Sequence, residues 1–234
     1  MSGILDGVRV LDITMWIVGP VASAHLGDLG AEVIKIEPLV GDGARGMLST
    51  RSIPMGDWNH FFEQSNRNKK SMAIDLTKEE GAEILYKLVE VSDVLVTNFT
   101  LGALRKLKID YHTVSGINPR IIYVSALGYG RYGPMSEMPA YDFQAWARSG
   151  LMSVKGEPGQ PPIYAGFGTG DVITSLFLAF GTLTALSHRD RTGRARKSTC
   201  PSWVRPCNSG PVCCSPIWPP AMSTSPGSIP ERTR

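Results

Sequence analysis

The amino-acid sequence predicts an α/β fold built on a parallel, Rossmann-like sheet that carries helices on its faces. Two observations support this prediction. Short apolar runs of strand length alternate with segments of helical period, up to about residue 193. In addition, the chain has 234 residues, of which 42% are hydrophobic, and this suffices for one large domain or two small ones.

The first half of the pattern is strand, helix, strand. Residues 7–13 form an apolar strand, residues 19–29 form a helix of small residues that begins at Gly19-Pro20, and residues 31–36 form a second strand. A loop rich in Gly, Met and Pro follows over residues 39–59. This order is typical of a β-α-β unit.

The second half repeats the alternation. Residues 78–91 are predicted to be an amphipathic helix, because acids occupy its first turn and apolar residues share one face. Strands follow at 94–96 and 121–125, with a helix over 102–107 between them. Nearly all residues at 172–187 are apolar or small, so we expect a buried helix there.

Charge and hydropathy exclude several classes of protein. The net charge is only +3 and no block of Lys or Arg is long enough to follow a phosphate backbone, so we expect no nucleic-acid partner. The N-terminus lacks the pattern of a signal peptide, and polar residues interrupt every apolar run before it reaches membrane-spanning length. We therefore expect a soluble, cytoplasmic protein that does not bind a membrane.

A glycine motif at residues 128–133 matches the dinucleotide fingerprint G-x-G-x-x-G after a predicted strand. The fingerprint requires a helix directly behind it, whose N-terminus holds the pyrophosphate. Pro134 and Pro139 oppose such a helix. We therefore do not expect NAD to bind there.

Asp171 is the candidate for chemistry, because it precedes the apolar helix and has Gly168 and Gly170 beside it. The backbone N–H groups and the dipole of a helix N-terminus are expected to keep a carboxylate ionised. Glycines let a substrate approach closely. Asp171 could thus be a nucleophile or a base, and it could equally be an ordinary N-cap.

The segment 194–234 differs in composition from the rest of the chain. It contains all four cysteines and eight of the seventeen prolines, without a periodic segment long enough for a helix or strand. The cysteines fit no zinc-ligand spacing, so we expect no metal site. We interpret 194–234 as an aberrant tail that is frameshifted or disordered. Permitted codons for 194–203, read from the third base, give Gly-Gln-Glu-Val-Asp-Val, a plausible continuation after 193.

Several motifs in the first 194 residues resemble the class III (CaiB/BaiF) CoA-transferase family, and they occur in the same order. They are LDGVRVLD at 5–12, Gly-Pro at 19–20, LGAEVIKIE at 29–37, NRNKKS at 66–71, DVLVTNF at 93–99, INPRIIY at 117–123 and RTGR at 191–194. The resemblance implies that residues 1–193 are the large-domain portion of this fold, incomplete at the C-terminus because family members are considerably longer.

The resemblance also implies an activity, the transfer of coenzyme A from an acyl-CoA thioester to a free carboxylic acid. Asp171 matches the family's nucleophile, which forms a mixed anhydride and then an aspartyl-CoA thioester. A formyl-CoA or succinyl-CoA transferase is the type implied. The family is also expected to form a cytoplasmic homodimer whose two chains interlock like rings.

Family motifs further imply which residues contact CoA. These are Ile17, Val18, Ile74, Asp75, Leu76, Thr77, Asn98, Phe99, Thr100 and Lys106. Lys106 is the expected phosphate partner, unless it is simply a solvated helix residue, and Phe99 could stack on adenine or fill the core. Because Pro38 and Thr77 stand where some members have a basic residue, Lys78, Arg45 or Lys70 could serve instead.

Two alternatives remain at this point. The α-methylacyl-CoA racemases share the fold and use a Gly-His-Asp motif, but this chain has Ala140-Tyr141-Asp142 there, and tyrosine is a poor base at neutral pH. We expect Tyr141 and Asp142 to line the acyl site, although Tyr141 could be a core aromatic. The other alternative is an inactive, truncated CoA-binding protein.

Overall fold

The computed structural model describes residues 3–47, 49–50, 53–54, 58–154, 157, 159–164, 166, 168–195 and 197–201. Within these residues the strands are β1 Arg9–Ile13, β2 Glu32–Glu37, β3 Ser49–Thr50, β4 Ile53–Pro54, β5 Lys69–Ala73, β6 Val94–Thr97, β7 Ile122–Leu127 and β8 Lys197–Pro201. The helices are α1 Val18–Asp28, α2 His60–Asn66, α3 Glu79–Glu90, α4 Leu101–Lys106, α5 Tyr111–Ile117, α6 Asp142–Ser149 and α7 Thr169–Thr192, with a 3-10 turn at Gly43–Gly46.

The main sheet of the described chain has six strands in the order β5-β2-β1-β6-β7-β8, and every neighbouring pair is parallel. This is the doubly wound arrangement, in which the strand order reverses between β1 and β6. The helices that follow these two strands, α1 and α4, cover opposite faces of the sheet, and the crevice where the two connections separate is where such folds bind ligands. The predicted α/β fold with a parallel, Rossmann-like sheet is confirmed.

Two hydrophobic cores cover the two faces of this sheet. Because side chains alternate along a strand, Val10 points into the core beneath α1 and α7, whereas Leu11 points into the core beneath α3, α4 and α5. The same alternation holds for Val94 and Leu95 in β6. Both faces are therefore buried, which explains why these strands are apolar throughout.

The predicted strands and helices of residues 7–36 and 78–127 are all found, with ends that shift by one or two residues. The short elements α2, β5, α5 and α6 were not predicted. In β5, four of the five residues are exposed, so no apolar run marks it. The loop predicted over 39–59 contains the 3-10 turn and the two-residue strands β3 and β4.

Helix α7 is longer than predicted, and one of its faces departs from the prediction of a buried helix. It packs mainly on α1, α6, β7 and β8. The outward face nevertheless exposes four apolar side chains, Val172, Ile173, Leu176 and Phe180. By length and composition alone α7 is a candidate membrane span, whereas its packing is that of a helix covering a sheet.

Strand β8 lies within the segment 194–234, for which no element was predicted. It extends the sheet at its edge, with Tyr123 opposite Lys197 and Leu127 opposite Pro201. Hydrogen bonding to β7 thus orders these five residues without an apolar signal. Residue 196 and residues 202–234, which include Cys207, Cys213 and Cys214, lie outside the described residues.

The glycine motif at 128–133 continues into turns and bends, and the next helix is α6, which begins at Asp142. A helix N-terminus is therefore not available directly behind the motif, as the prolines predicted.

Candidate active site

A cavity of about 630 Å³ opens at the carboxyl ends of β1, β6 and β7, where the strand order reverses. Its lining residues are Met15, Trp16, Ile17, Val18, Met47, Asn98, Phe99, Thr100, Ala103, Ala126, Leu127, Gly128, Ser136, Met138, Pro139, Ala140, Tyr141, Asp142, Phe143, Tyr164 and Asp171. Both the size and the position are those of a small-molecule site in a doubly wound fold.

Two hydrogen bonds join the loops that leave β1 and β6. The amide of Asn98 accepts from the backbone N–H of Met15 at 3.0 Å and donates to its carbonyl at 2.7 Å. The next residue, Trp16, has a φ of 69°, which is uncommon for a residue other than glycine. Its N–H donates to Asp42 Oδ1 at 3.3 Å, so a side chain from a third loop holds this strained backbone in place.

Asp42 itself is held by a buried cation. Lys35 Nζ lies 2.9 Å from Asp42 Oδ2, and each side chain is only 1% exposed. The same ammonium group donates to the carbonyl of Thr14 at 2.9 Å. Lys35, in β2, thereby connects the loop that follows β1, through Thr14, with the loop that follows β2, through Asp42. These two loops meet at Trp16, in the wall of the cavity.

A second buried ion pair lies beneath the start of α1. Lys69 Nζ donates to Asp12 Oδ2 at 2.8 Å and to the carbonyl of Pro20 at 2.8 Å, while Ser23 donates to the same carboxylate. Burial by itself would raise the pKa of Asp12, but Lys69 and Lys35 outweigh it and hold that pKa below its ordinary value. Asp12 therefore stays ionised and fixes the N-terminal turn of α1 at the cavity wall.

Asp171 is the third residue of α7 and not its N-cap, which corrects one of the two readings of this residue. The N-cap is Gly168, whose φ of 76° lies in the left-handed region that glycine tolerates. The first turn of α7 therefore carries the Asp171 carboxylate, and this residue lines the cavity.

The cap of α7 comes from another helix. Asp142, the first residue of α6, accepts hydrogen bonds from the backbone N–H groups of Gly168 and Asp171, both at 3.0 Å. The hydroxyl of Tyr164 donates to the same carboxylate. A Cβ on Gly170 would lie 2.5 Å from Asp142 Oδ1, so a glycine is needed for this approach. Asp142 thus lines the cavity and also caps α7, while its place in an acyl site stays a prediction.

The expectation that Asp171 remains fully ionised is not met. Burial, together with the neighbouring Asp142 carboxylate, raises the pKa of Asp171 to about 7. These effects exceed the stabilisation that a helix N-terminus offers, partly because Asp142 accepts the N–H of Asp171. Near neutral pH both protonation states of Asp171 are populated.

Most of the residues predicted for the site come together at this cavity. Ile17, Val18, Asn98, Phe99, Thr100, Tyr141, Asp142 and Asp171 all line it. Phe99 also packs against the core beneath α4, as one of its two predicted roles requires, and its stacking on adenine stays a prediction. The idea that Tyr141 is a core aromatic is wrong, because 70% of its surface is exposed.

Five predicted residues do not line this cavity. Four of them, Ile74, Asp75, Leu76 and Thr77, follow the edge strand β5. Ile74 is buried in the core, and the Asp75 carboxylate accepts hydrogen bonds from the backbone N–H and the hydroxyl of Thr77. Lys106 is the last residue of α4 and is exposed. Their contacts with CoA therefore stay predictions.

Of the alternative phosphate-binding cations, two have carboxylate partners. Arg45 donates twice to Glu37, at 2.7 Å each, and Lys70 Nζ lies 2.6 Å from Glu32. Hydrogen bonds from Arg45 and Ser71 hold the pKa of Glu37 at about 2 even though burial opposes this. Lys78 is the N-cap residue of α3.

Sequence reasoning missed several residues of the site. Tyr164 reaches Asp142 from a loop, and Met15, Trp16 and Met47 form apolar walls. No local pattern marks them, because the tertiary fold brings their loops together. Among the described residues, no group of three or more His, Cys, Asp and Glu side chains could hold a metal ion.

Comparison with known proteins agrees with this geometry. Residues 5–202 match CoA-transferase family III. Over 198 residues the chain is 40% identical to (R)-2-hydroxy-4-methylpentanoate CoA-transferase of Clostridioides difficile, covering 84% of this chain and 50% of that protein. Over 195 residues it is 40% identical to succinyl-CoA:glutarate CoA-transferase of Mus musculus, covering 81% and 43% respectively.

Solved structures show the same similarity. The crystal structure of a CAIB/BAIF family protein from Brucella suis has a TM-score of 0.77 and 35% identity, covering 84% of this chain and 52% of that one. The chain thus spans about half the length of the relatives it matches. On the family match and these similarities, the chain belongs to CoA-transferase family III.

Proposed function

We propose that the protein transfers coenzyme A between an acyl-CoA thioester and a free carboxylic acid, with Asp171 as the nucleophile. The observation that carries this proposal is the position of Asp171, in the first turn of α7 and at the wall of the cavity. Gly170 makes room for the Asp142 carboxylate and not for a substrate, since an added Cβ would lie 2.5 Å from Asp142 Oδ1. The sequence first implied a formyl-CoA- or succinyl-CoA-dependent enzyme, and the lack of Lys, Arg and His among the described lining residues counts against the succinyl-CoA type.

The reaction runs through two exchanges at one carboxylate. An oxygen of ionised Asp171 attacks the thioester carbon, and the CoA thiolate leaves, so that an anhydride joins Asp171 to the acyl group. The thiolate then attacks the aspartyl carbonyl and releases the donor acid as a carboxylate. The acceptor acid repeats both steps in reverse, and the energy of the thioester is conserved.

Two parts of the cavity wall are proposed to hold CoA. Asn98, Phe99 and Thr100 follow β6, while Ile17 and Val18 begin α1, whose N-terminus favours an anion. The pantetheine arm would run along this wall towards Asp171. The phosphates would lie outside the cavity mouth, with Lys106 as the proposed cationic partner.

In the decisive experiment the full chain is incubated with a donor acyl-CoA and an isotope-labelled acceptor acid. The measurement is the amount of label that appears in newly formed acyl-CoA. Mass spectrometry should detect CoA attached to the peptide that contains residue 171. Asp171→Ala should abolish the exchange and the adduct, since no carboxylate remains to form the anhydride. Asp190→Asn is the matched control, because this aspartate lies on the same helix with its side chain 70% exposed. Exchange that survives in Asp171→Ala would refute the role of Asp171.

Two other functions are compatible with the family. A racemase would exchange the α-proton of an acyl-CoA with solvent deuterium; against it, Asp142 is engaged in capping α7 and Tyr141 replaces the histidine. The second alternative implied by the sequence is an inactive CoA-binding protein. It would bind CoA without any exchange.

We further propose a cytoplasmic homodimer, interlocked as implied by the family, with acyl-CoA and carboxylic acids as its small-molecule partners and no nucleic acid or membrane. The segment 194–234 is proposed to result from a frameshift. The nucleotide sequence around codon 194 tests this, since a second frame that continues with Gly-Gln-Glu-Val-Asp-Val would support it.

A further inference from the structure

We propose that the acyl group accepted at this site is that of a monocarboxylic acid with an apolar tail, and that acyl groups with a second carboxylate are rejected. This inference rests on the proposed CoA transfer and names its substrate class. It follows from the residues that line the cavity, from the pairing of the nearby buried lysines with other carboxylates, and from the free-energy cost of placing a third carboxylate in the cavity.

The lining carries negative charge without positive charge. Asp142 and Asp171 are its two ionisable carboxyl groups, and within the described part of the chain no Lys, Arg or His lines the cavity. Most other lining residues are apolar, and the polar ones, such as Asn98 and Thr100, are uncharged. A carboxylate entering this space would meet no cationic side chain among the described lining residues.

Aromatic side chains flank the two carboxyl groups. Tyr164, which donates to Asp142, lies with its ring centroid 5.4 Å from that of Phe143 and 6.1 Å from that of Trp146, in edge-to-face contacts. Phe143 lines the cavity with 54% of its surface exposed. The cavity wall that Tyr164 and Phe143 form beside Asp142 is therefore largely aromatic, and it suits an alkyl or aryl tail.

The buried cations near the floor are already neutralised. Lys35 pairs with Asp42 and Lys69 pairs with Asp12, each at 2.9 Å or less and with side chains at most 2% exposed. Neither ammonium group lines the cavity. Moving one of them towards a substrate would leave a buried carboxylate without its partner, which is strongly unfavourable.

A second carboxylate on the acyl chain would therefore lose water without gaining a partner, and it would also be repelled by Asp142 and Asp171. An acyl group of the same shape that ends in methyl groups would transfer only apolar surface from water into the cavity, which is favourable. We expect the two acyl groups to differ in affinity by at least about tenfold, which corresponds to about 1.4 kcal/mol.

The test compares two acyl-CoAs of the same shape by calorimetric titration of the full chain. In 4-methylpentanoyl-CoA a branched methyl end replaces the terminal carboxylate of succinyl-CoA. Binding of 4-methylpentanoyl-CoA at least about tenfold tighter than succinyl-CoA is the expected result. Equal binding, or tighter binding of succinyl-CoA, overturns the inference while CoA binding itself leaves the proposed function intact. Failure of CoA and of both acyl-CoAs to bind overturns both.

Variants locate the preference in the cavity. Phe143→Arg places a cation beside the aromatic wall and should bring succinyl-CoA to within about threefold of 4-methylpentanoyl-CoA. Met138→Arg, at a lining residue 49% exposed, is a second variant of the same kind. Tyr132→Arg introduces the same charge at a residue that is 82% exposed and does not line the cavity, so the preference should persist. If neither lining variant strengthens succinyl-CoA binding, the absence of a cation is not the cause and the inference fails.

Discussion

Asp142 accepts the backbone N–H of Asp171 at 3.0 Å, so the first residue of α6 caps the helix whose first turn carries the candidate nucleophile. The contact has two consequences. It satisfies N–H groups that a helix start leaves without partners, and it places a negative charge beside a second carboxyl group. One side chain therefore both stabilises α7 and makes Asp171 harder to ionise.

Asp171 should make the folded chain less stable as the pH rises. Its pKa is about 7 in the fold against an ordinary value of 3.8, so between these values the folded chain holds a proton that the unfolded chain has released. The free energy of unfolding then falls with pH across this window and is level above it. Asp171→Asn should be the more stable protein above pH 7, by up to about 4 kcal/mol, with no difference at low pH.

Urea unfolding of both proteins at several pH values measures this difference directly. Curves that stay parallel from pH 4 to pH 8 would contradict the raised pKa. The raised pKa of Asp171 also leads us to expect that the rate of acyl exchange increases with pH through about 7, because only the ionised carboxylate attacks the thioester.

Two substitutions at Asp142 should separate its charge from its role as a cap. Asp142→Asn keeps an oxygen acceptor for the start of α7, whereas Asp142→Ala removes both acceptors and should destabilise the chain by about 1–2 kcal/mol. Both remove the negative charge, so both should lower the pKa of Asp171. The pH profile of exchange and urea unfolding report the two effects. A pKa of Asp171 that is unchanged in both variants would show that burial alone raises it.

Gly170→Ala should be destabilising although alanine is the better helix former. The added Cβ would lie 2.5 Å from Asp142 Oδ1, and the carboxylate would have to leave the start of α7. We expect weakened exchange together with a loss of stability of about 1–3 kcal/mol. Gly116→Ala in α5 is the matched control: nothing lies within 4 Å of its added Cβ, so it should stabilise by up to about 1 kcal/mol. Equal effects of the two substitutions would argue against the contact.

Lys35→Met should destabilise the chain by about 3–5 kcal/mol, because Asp42 then remains as a buried charge without its partner. The double variant Lys35→Met/Asp42→Asn should recover most of this loss. Lys70→Met provides the surface comparison, since the pair with Glu32 is exposed and should contribute less than about 1 kcal/mol. Thermal or urea unfolding of the wild type, Lys35→Met, Asp42→Asn and the double variant measures the coupling between the two side chains. Additive effects of the two single substitutions would contradict it.

The α/β fold could be predicted because its signals are local. A strand such as β6 is a short apolar run, and α3 shows its amphipathic period within a few turns. The elements that were missed lack such signals: β5 is largely exposed, and β8 exists through its hydrogen bonds to β7. Asp171 could be singled out because glycines and an apolar helix surround it along the chain.

The sequence by itself determined the order of most strands and helices, the family motifs and the position of Asp171 near the start of a long apolar helix. Only the tertiary structure decided that Asp142 caps that helix, that Tyr164 joins it, and that Lys35 and Asp42 hold the backbone of Trp16. The physical reason is distance along the chain. Hydrophobic periodicity is a property of neighbouring residues, whereas these hydrogen bonds and ion pairs, and the pKa of Asp171, arise after the sheet has brought separate loops to one edge.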